Sequence, residues 1–303
     1  LSSSFAYDRY LLAKRTVDDR ALNKDVVERL RRELAPLQGG VLRVLEVGGG
    51  MGTMVARLLD WDVLRTAHYT LLDRDPALLT RAHAWLSDWA RAAGYVCTTS
   101  ANGLHLRREH LDVTFTFREA DIAQIGESAR SYDLLIANAV LDIVDVPVVL
   151  PGLLRVLAPR ALYWFSCNFD GETIFCPEHP ADVALLGVYH RSMDDRPTTG
   201  RGAGHSQTGQ RLFRHLKDVG ASTLAVGASD WIVFGTDGRY HGDEAQFLRC
   251  IVQTIHDELR QHREVPSEVL SEWTVLRLSQ IERAELVYIA HQLDFLGRAP
   301  DAL

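Results

Sequence analysis

The chain has 303 residues, 47% of them hydrophobic and 24% charged, a composition that excludes a disordered or fibrous protein and fits a folded globular one. A formal net charge of -7 argues against a surface devoted to phosphate backbones, so nucleic acid is not an expected partner. No apolar run approaches the ~18 residues of a membrane span and no leader is read before the first helix, so a cytoplasmic chain without a membrane partner is expected.

Residues 1–40 read as a helical lead-in, because Tyr10, Leu11, Leu12, Val26, Val27, Leu30 and Leu34 recur at helical spacing. Between these stripes, residues 16–23 are too polar for a core. Asp18, Asp19, Arg20 and Asn23 read as a helix cap with a surface ion pair, or else Arg20 and Asn23 close over a ligand. Residues 41–47 form a buried strand that breaks into Gly48-Gly49-Gly50-Met51-Gly52 and then a helix from Met54. Glycines let the backbone turn sharply and approach a ligand, and the helix N-terminus presents unpaired N–H groups to an anion. A cofactor is expected at this turn.

Residues 68–73 form a second strand ending in an acid, followed by a helix from Pro76. Asp73 is placed to accept both hydroxyls of an adenosine ribose, while Asp75 is the better helix cap. Residues 97–112 read as a surface loop or small hairpin, and residues 113–117 as a third strand. Asp121 and Ile122, just beyond it, suit a purine, with the carboxylate accepting from an exocyclic amine and the isoleucine covering the ring. An ordinary cap is the alternative for Asp121. Residues 132–138 are a fourth strand, at whose C-terminal end open α/β sheets bind ligands. A helix over 147–157 and a fifth strand over 161–167 continue a β-α rhythm, which implies a parallel sheet with helices on both faces.

Residues 171–205 follow as a probable lid or acceptor loop, with 197–204 free of periodicity. A helix over 209–219 leads to 222–226 and 231–234, expected as a sixth and seventh strand in a hairpin. Residues 241–303 read as a C-terminal helical extension divided near Pro266, with Val287 and Ile289 on its second apolar stripe. Such a layer completes the core, caps an acceptor pocket or forms a homodimer interface. The four cysteines show no C-x-x-C pair, so reduced thiols and no metal site are expected.

The spaced set Glu46, Gly48, Gly50 and Gly52 is similar to motif I of the class I S-adenosylmethionine (SAM) dependent methyltransferases. Asp73, then Ala120-Asp121-Ile122, then Tyr132-Asp133 leading to Asn138 follow in that family's order, so residues 41–170 resemble its core. The resemblance implies a Rossmann-like, doubly wound, mainly parallel seven-stranded sheet over residues 41–240, with helical additions at both ends. It implies that Glu46, Gly48, Gly49, Gly50 and Gly52 hold the methionyl part of SAM, and that Asp73, with Arg74 beside it, holds the ribose. Asp121 and Ile122 would hold the adenine and Asn138 would line the cleft near the methyl group, with Arg20 closing over the cofactor and S-adenosylhomocysteine as product. Asn138-Ala139-Val140-Leu141 departs from the Asn-Pro-Pro-Tyr of nucleobase and glutamine methyltransferases, so the expected acceptor is a small organic molecule.

A hydroxyl or ammonium acceptor must lose a proton, and His190, His205, Asp142 and Asp170 are candidate bases, none of them assigned. Two alternatives stay open. One is an NAD(P)-dependent oxidoreductase, opposed by Thr53 at the third glycine position of the dinucleotide fingerprint. The other is a non-catalytic SAM- or metabolite-binding module whose helical tail holds a protein partner.

Overall fold

A computed structural model describes residues 4–127, 131–195 and 204–301. The lead-in is helical, as expected, with α1 (Ser4–Ala13), α2 (Arg15–Ala21) and α3 (Lys24–Leu34). Asn23 caps α3, its side chain accepting from the N–H groups of Asp25 and Val26 at 3.1 Å. The polar stretch before it is partly core, since Val17, Asp18, Ala21 and Leu22 are buried.

Then come β1 (Leu42–Val47), α4 (Thr53–Asp60), β2 (Thr66–Asp73) and α5 (Pro76–Ala92). A hairpin, β3 (Val96–Ser100) and β4 (Gly103–Arg108), precedes β5 (Leu111–Glu119) and β6 (Tyr132–Asn138). The chain continues through α6 (Val146–Arg155), the long β7 (Leu157–Cys176), α7 (Asp182–Asp194) and α8 (Thr208–Asp218). It closes with β8 (Ser222–Ala228), β9 (Trp231–Val233), α9 (Glu244–Leu259), α10 (Ser267–Glu282) and β10 (Val287–Arg298).

Among the described residues, ten strands join one sheet, ordered β3-β4-β5-β2-β1-β6-β7-β10-β8, with β9 paired to β10. From β5 to β7 the neighbours are parallel, which makes this a doubly wound, Rossmann-like α/β fold. The expected seven-stranded arrangement runs from β5 to β8, with β3 and β4 added at the other edge, but its last member is β10 and not residues 231–234. β10 lies antiparallel between β7 and β8, so β8 and β9 each pair with it and make no hairpin with each other. Val287 and Ile289, expected on a helical stripe, are therefore strand residues, and the C-terminal segment is not purely helical. Buried Gln292 and Asp294 interrupt the apolar alternation that would have marked the strand. Asp294 is satisfied there, accepting from the N–H groups of Cys167 at 2.8 Å and Asn23 at 2.9 Å.

Each sheet face carries an apolar layer. Leu30, Leu58, Tyr69 and Leu86 pack one face under α3, α4 and α5, and Leu135, Leu150, Phe165 and Leu212 pack the other under α6 and α8. A further cluster sits beyond the parallel strands. The β6–β7 pairing ends at Asn138 and Ser166, yet β7 runs on to Cys176 alongside the first half of β10. Phe175, Leu185, Phe247, Trp273 and Tyr288 pack around this extension, together with Ala13 and Val17 from α1 and α2. The 171–205 stretch is thus largely β7 and α7, while the part of the expected lid at 196–203 lies outside the described residues. Among the described residues, no helix is long and apolar enough to cross a membrane.

Candidate functional site

The turn after β1 follows from its glycines. Gly48 has φ +62°, and a Cβ there would lie 2.5 Å from Cγ2 of Val140, so only glycine allows β1 to meet the chain leaving β6. Gly52, with φ +73°, turns the chain into α4. The turn is tied to β2 by Gly49 N–H, which donates to the Leu72 carbonyl at 3.0 Å, and by Gly50 N–H, which donates to Asp73 Oδ2 at 3.0 Å. Asp73 Oδ1 accepts from Asp75 N–H at 3.0 Å. Asp75 is the cap of α5, accepting from Ala77 and Leu78, as read.

Register places the next residues. Asp73 lies opposite Glu119 in the β2–β5 pair, which sets Arg74 and Asp75 beside Ala120 and Asp121. Between them opens a cavity of about 590 Å³, lined by Arg74, Asp75, Pro76, Glu119, Ala120, Asp121 and Gln124. That size falls in the range of small-molecule sites, roughly 300–1,000 Å³. Asp121 Oδ1 accepts from Ala123 N–H at 2.9 Å, so Asp121 acts as a local cap while still lining the cavity. Ile122 packs instead against the apolar cluster beneath α6.

Glu46 is buried and accepts a hydrogen bond from the Tyr69 hydroxyl at 2.8 Å. Burial pushes its carboxyl up to about 8, against the lowering effects of that bond and of Arg57. Asn138 is held at both ends of its amide: Oδ1 accepts from the Ser166 hydroxyl at 2.8 Å and Nδ2 faces Asp18 Oδ2 at 3.4 Å. Of the two readings of Arg20, the structure shows an ion pair. Its guanidinium binds the buried Glu244 carboxylate and the carbonyl of Ile232, which ties α2 to α9 and β9.

Helix α1 roofs the turn. A Cβ on Gly50 would lie 2.9 Å from Cδ1 of Leu11. Burial pushes the Tyr7 phenol up to about 12, with Asp73, Asp142 and Asp75 adding to the rise, so Tyr7 stands among the acids at the strand ends. Tyr7 stacks on Tyr10, and Tyr10 on Phe247.

Of the four candidate bases, Asp170 lies on β7, His190 on α7 and His205 just before α8, while Asp142 lies in the short turn after β6. His190 Nε2 engages Thr173 Oγ1 at 3.0 Å, and its ring meets Phe169 and Tyr189. Burial lowers its pKa, while Glu172 and Asp194 pull the other way. His205 Nδ1 lies 3.2 Å from Asp194 Oδ1, and burial lowers its pKa too. Gly204 packs on the backbone of Asp142, where a Cβ would lie 2.3 Å from the carbonyl oxygen. Asp170 accepts from Gln210 N–H at 2.7 Å and so anchors α8. Its other oxygen is 3.8 Å from Nε2 of His291, whose Nδ1 contacts Asp230 at 2.7 Å.

Tyr7, Tyr10, Lys14, Asp18, Asp194 and His291 are site-flanking residues that the pattern reading did not assign to the site. The repeat Tyr7, Tyr10, Lys14 at helical spacing is the one sequence signal that could have flagged the first three. Among the described residues, no group of His, Cys, Asp and Glu is arranged to hold a metal ion.

No protein-family model matches the sequence, and no curated protein matches it. Solved structures do resemble it. A putative sarcosine dimethylglycine methyltransferase from Galdieria sulphuraria shares 18% identity, with 91% of this chain and 86% of that one covered and a TM-score of 0.43. A putative methyltransferase from Bacillus halodurans C-125 shares 14%, with 90% and 98% covered and a TM-score of 0.49. Geranyl diphosphate C-methyltransferase from Streptomyces coelicolor A3(2), in complex with Mg2+, geranyl diphosphate and S-adenosyl-L-homocysteine, shares 9%, with 90% and 80% covered and a TM-score of 0.43. At these identities the likeness is one of fold alone.

Proposed function

We propose that the chain is a SAM-dependent methyltransferase acting on a small organic acceptor. The observation that carries this reading is the antiparallel β10 between β7 and β8, on a sheet whose parallel strands end at a glycine turn and Asp73. A dinucleotide-binding sheet extends instead with a sixth strand in the order 3-2-1-4-5-6, and its fingerprint asks for glycine or alanine where Thr53 stands.

The residues fit the cofactor. Each Asp73 oxygen accepts one backbone N–H bond and keeps acceptor capacity for a ribose hydroxyl. The cavity beside Asp121 suits the base, and the glycine turn with Asn138 borders the methionyl end. SAM supplies an electrophilic methyl group on a sulfonium. The chain's own work is to align an acceptor with that methyl, to exclude water and to take a proton. Leu11 and Tyr7 cover the turn. Tyr10, Phe169, Tyr189 and His190 form the acceptor side. His190 is the candidate proton acceptor, because burial favours its neutral imidazole and its Nδ1 has no hydrogen-bond partner among the described residues.

Calorimetric titration with SAM, S-adenosylhomocysteine and NADH tests the reading. Binding of the two adenosyl ligands and none of NADH is expected. NADH binding alone would replace the reading with an oxidoreductase.

A further inference from the structure

Helices α1 and α2 run on through Lys14 with little break, since Lys14 N–H donates to the Tyr10 carbonyl at 3.0 Å and Asp18 N–H to the Lys14 carbonyl at 2.9 Å. Leu11, Lys14 and Asp18 therefore share one helical face. The two ends of that face have fixed neighbours. Leu11 meets Gly50 in the turn after β1, and Asp18 meets Asn138 at the end of β6. β1 and β6 are adjacent parallel strands, so Lys14 lies between the glycine turn and Asn138, over their C-terminal ends.

Lys14 is only 5% exposed and Asp18 is fully buried, with Nζ 3.0 Å from Asp18 Oδ2. Asp18 is well supplied with donors. Its Oδ1 accepts from Trp231 Nε1 at 2.9 Å, its Oδ2 faces Asn138, and Arg57 stands 3.9 Å away. Lys14 is not. Among the described residues its ammonium has Asp18 as its ion-pair partner, and otherwise lies 5.2 Å over the Trp231 ring. An ammonium carries three donors, and a buried cation left with spare donors is costly unless an anion meets it. Arg20, the cation expected here from the sequence, is engaged with Glu244.

We infer that Lys14 holds the carboxylate of the α-amino-acid end of the cosubstrate, with Asp18 as the residue that positions its ammonium. The inference rests on the cleft being a SAM site. It assigns the charge-reading contact to a residue on the roof, so the roof helices distinguish a ligand that carries the amino-acid tail from one that has only the adenosyl group.

The test compares S-adenosylhomocysteine with 5′-methylthioadenosine, which keeps the adenosyl group and lacks the amino-acid tail, by calorimetry on the full chain. Lys14→Met is expected to weaken S-adenosylhomocysteine binding by about ten- to a hundredfold, the scale of one charge-assisted hydrogen bond. Methylthioadenosine affinity should not change, which also reports an intact fold. Lys14→Arg should recover part of the loss. The double variant Lys14→Met with Asp18→Asn removes the pair without leaving a buried carboxylate alone, and should show the same split. An unchanged affinity for S-adenosylhomocysteine, or an equal loss for both ligands, would overturn the inference. A wild-type chain that binds neither ligand would overturn the SAM reading itself.

Discussion

Asp73 is the residue on which turn geometry and the proposed ribose contact converge, and Asp73→Asn separates the two. In the folded chain the carboxylate accepts from Gly50 N–H and from Asp75 N–H, both at 3.0 Å, and so ties the glycine turn to the start of α5. Asparagine keeps one acceptor oxygen and presents an NH2 group to the other N–H. One charge-assisted bond is lost and one donor faces a donor. With Asp73 half-exposed, water takes over part of the loss, and the expected destabilisation is about 1–2 kcal/mol. A ribose would lose more. Two hydroxyl bonds to a charged acceptor contribute about 1.5–3 kcal/mol each, and asparagine retains one of them without the charge. The expected penalty of about 3 kcal/mol is a factor of roughly a hundred in Kd. Urea unfolding measures the first quantity and calorimetry with S-adenosylhomocysteine and methylthioadenosine the second. Both ligands should weaken equally, because they share the ribose, in contrast to the split expected for Lys14→Met. Unaltered affinity would refute the ribose assignment, and an unchanged urea midpoint would refute the tethering role.

Two further outcomes concern buried charge. The Glu46 carboxyl, ordinarily at 4.5, is raised to about 8 in the folded chain among Tyr69, Arg57 and Asp73, so the folded state binds a proton that the unfolded state has released. Its contribution to stability is complete below about pH 4.5 and is lost as pH rises through about 8. Urea midpoints measured from pH 5 to pH 9 should fall more steeply for the wild type than for Glu46→Gln, and parallel curves would disprove it. Away from the cleft, Arg277 is fully buried and clamps Asp182 with two bonds of 2.7 and 2.6 Å, while Trp273 Nε1 holds the same carboxylate at 2.7 Å. Arg277→Met leaves that carboxylate without its cation and should cost about 3–5 kcal/mol in chemical unfolding. A loss under 1 kcal/mol would show that Asp182 is readily solvated there.

The amino-acid sequence alone determined the parts that local pattern encodes. Residues 42–47 and 132–138 are strands because apolar runs of that length, bounded by turn residues, bury well in a parallel sheet. Gly48 and Gly52 had to be glycines at left-handed backbone positions. Asp75 and Asn23 cap helices through contacts two and three residues away. The positions of Asp73 and Asp121 were legible for the same reason, since each is placed by the end of its own strand. What tertiary structure decided involves partners far along the chain. β10 takes its place beside β7 by pairing with residues more than a hundred positions earlier, and its buried Gln292 and Asp294 hide the period of a strand. Asp18 and Lys14 look like solvated helix charges until Trp231 and Asn138 close over them, and Arg20 looks free until Glu244 arrives from α9. A charge on a helix has the same local spacing whether it meets water or a buried partner. Only the packing of distant elements tells the two apart.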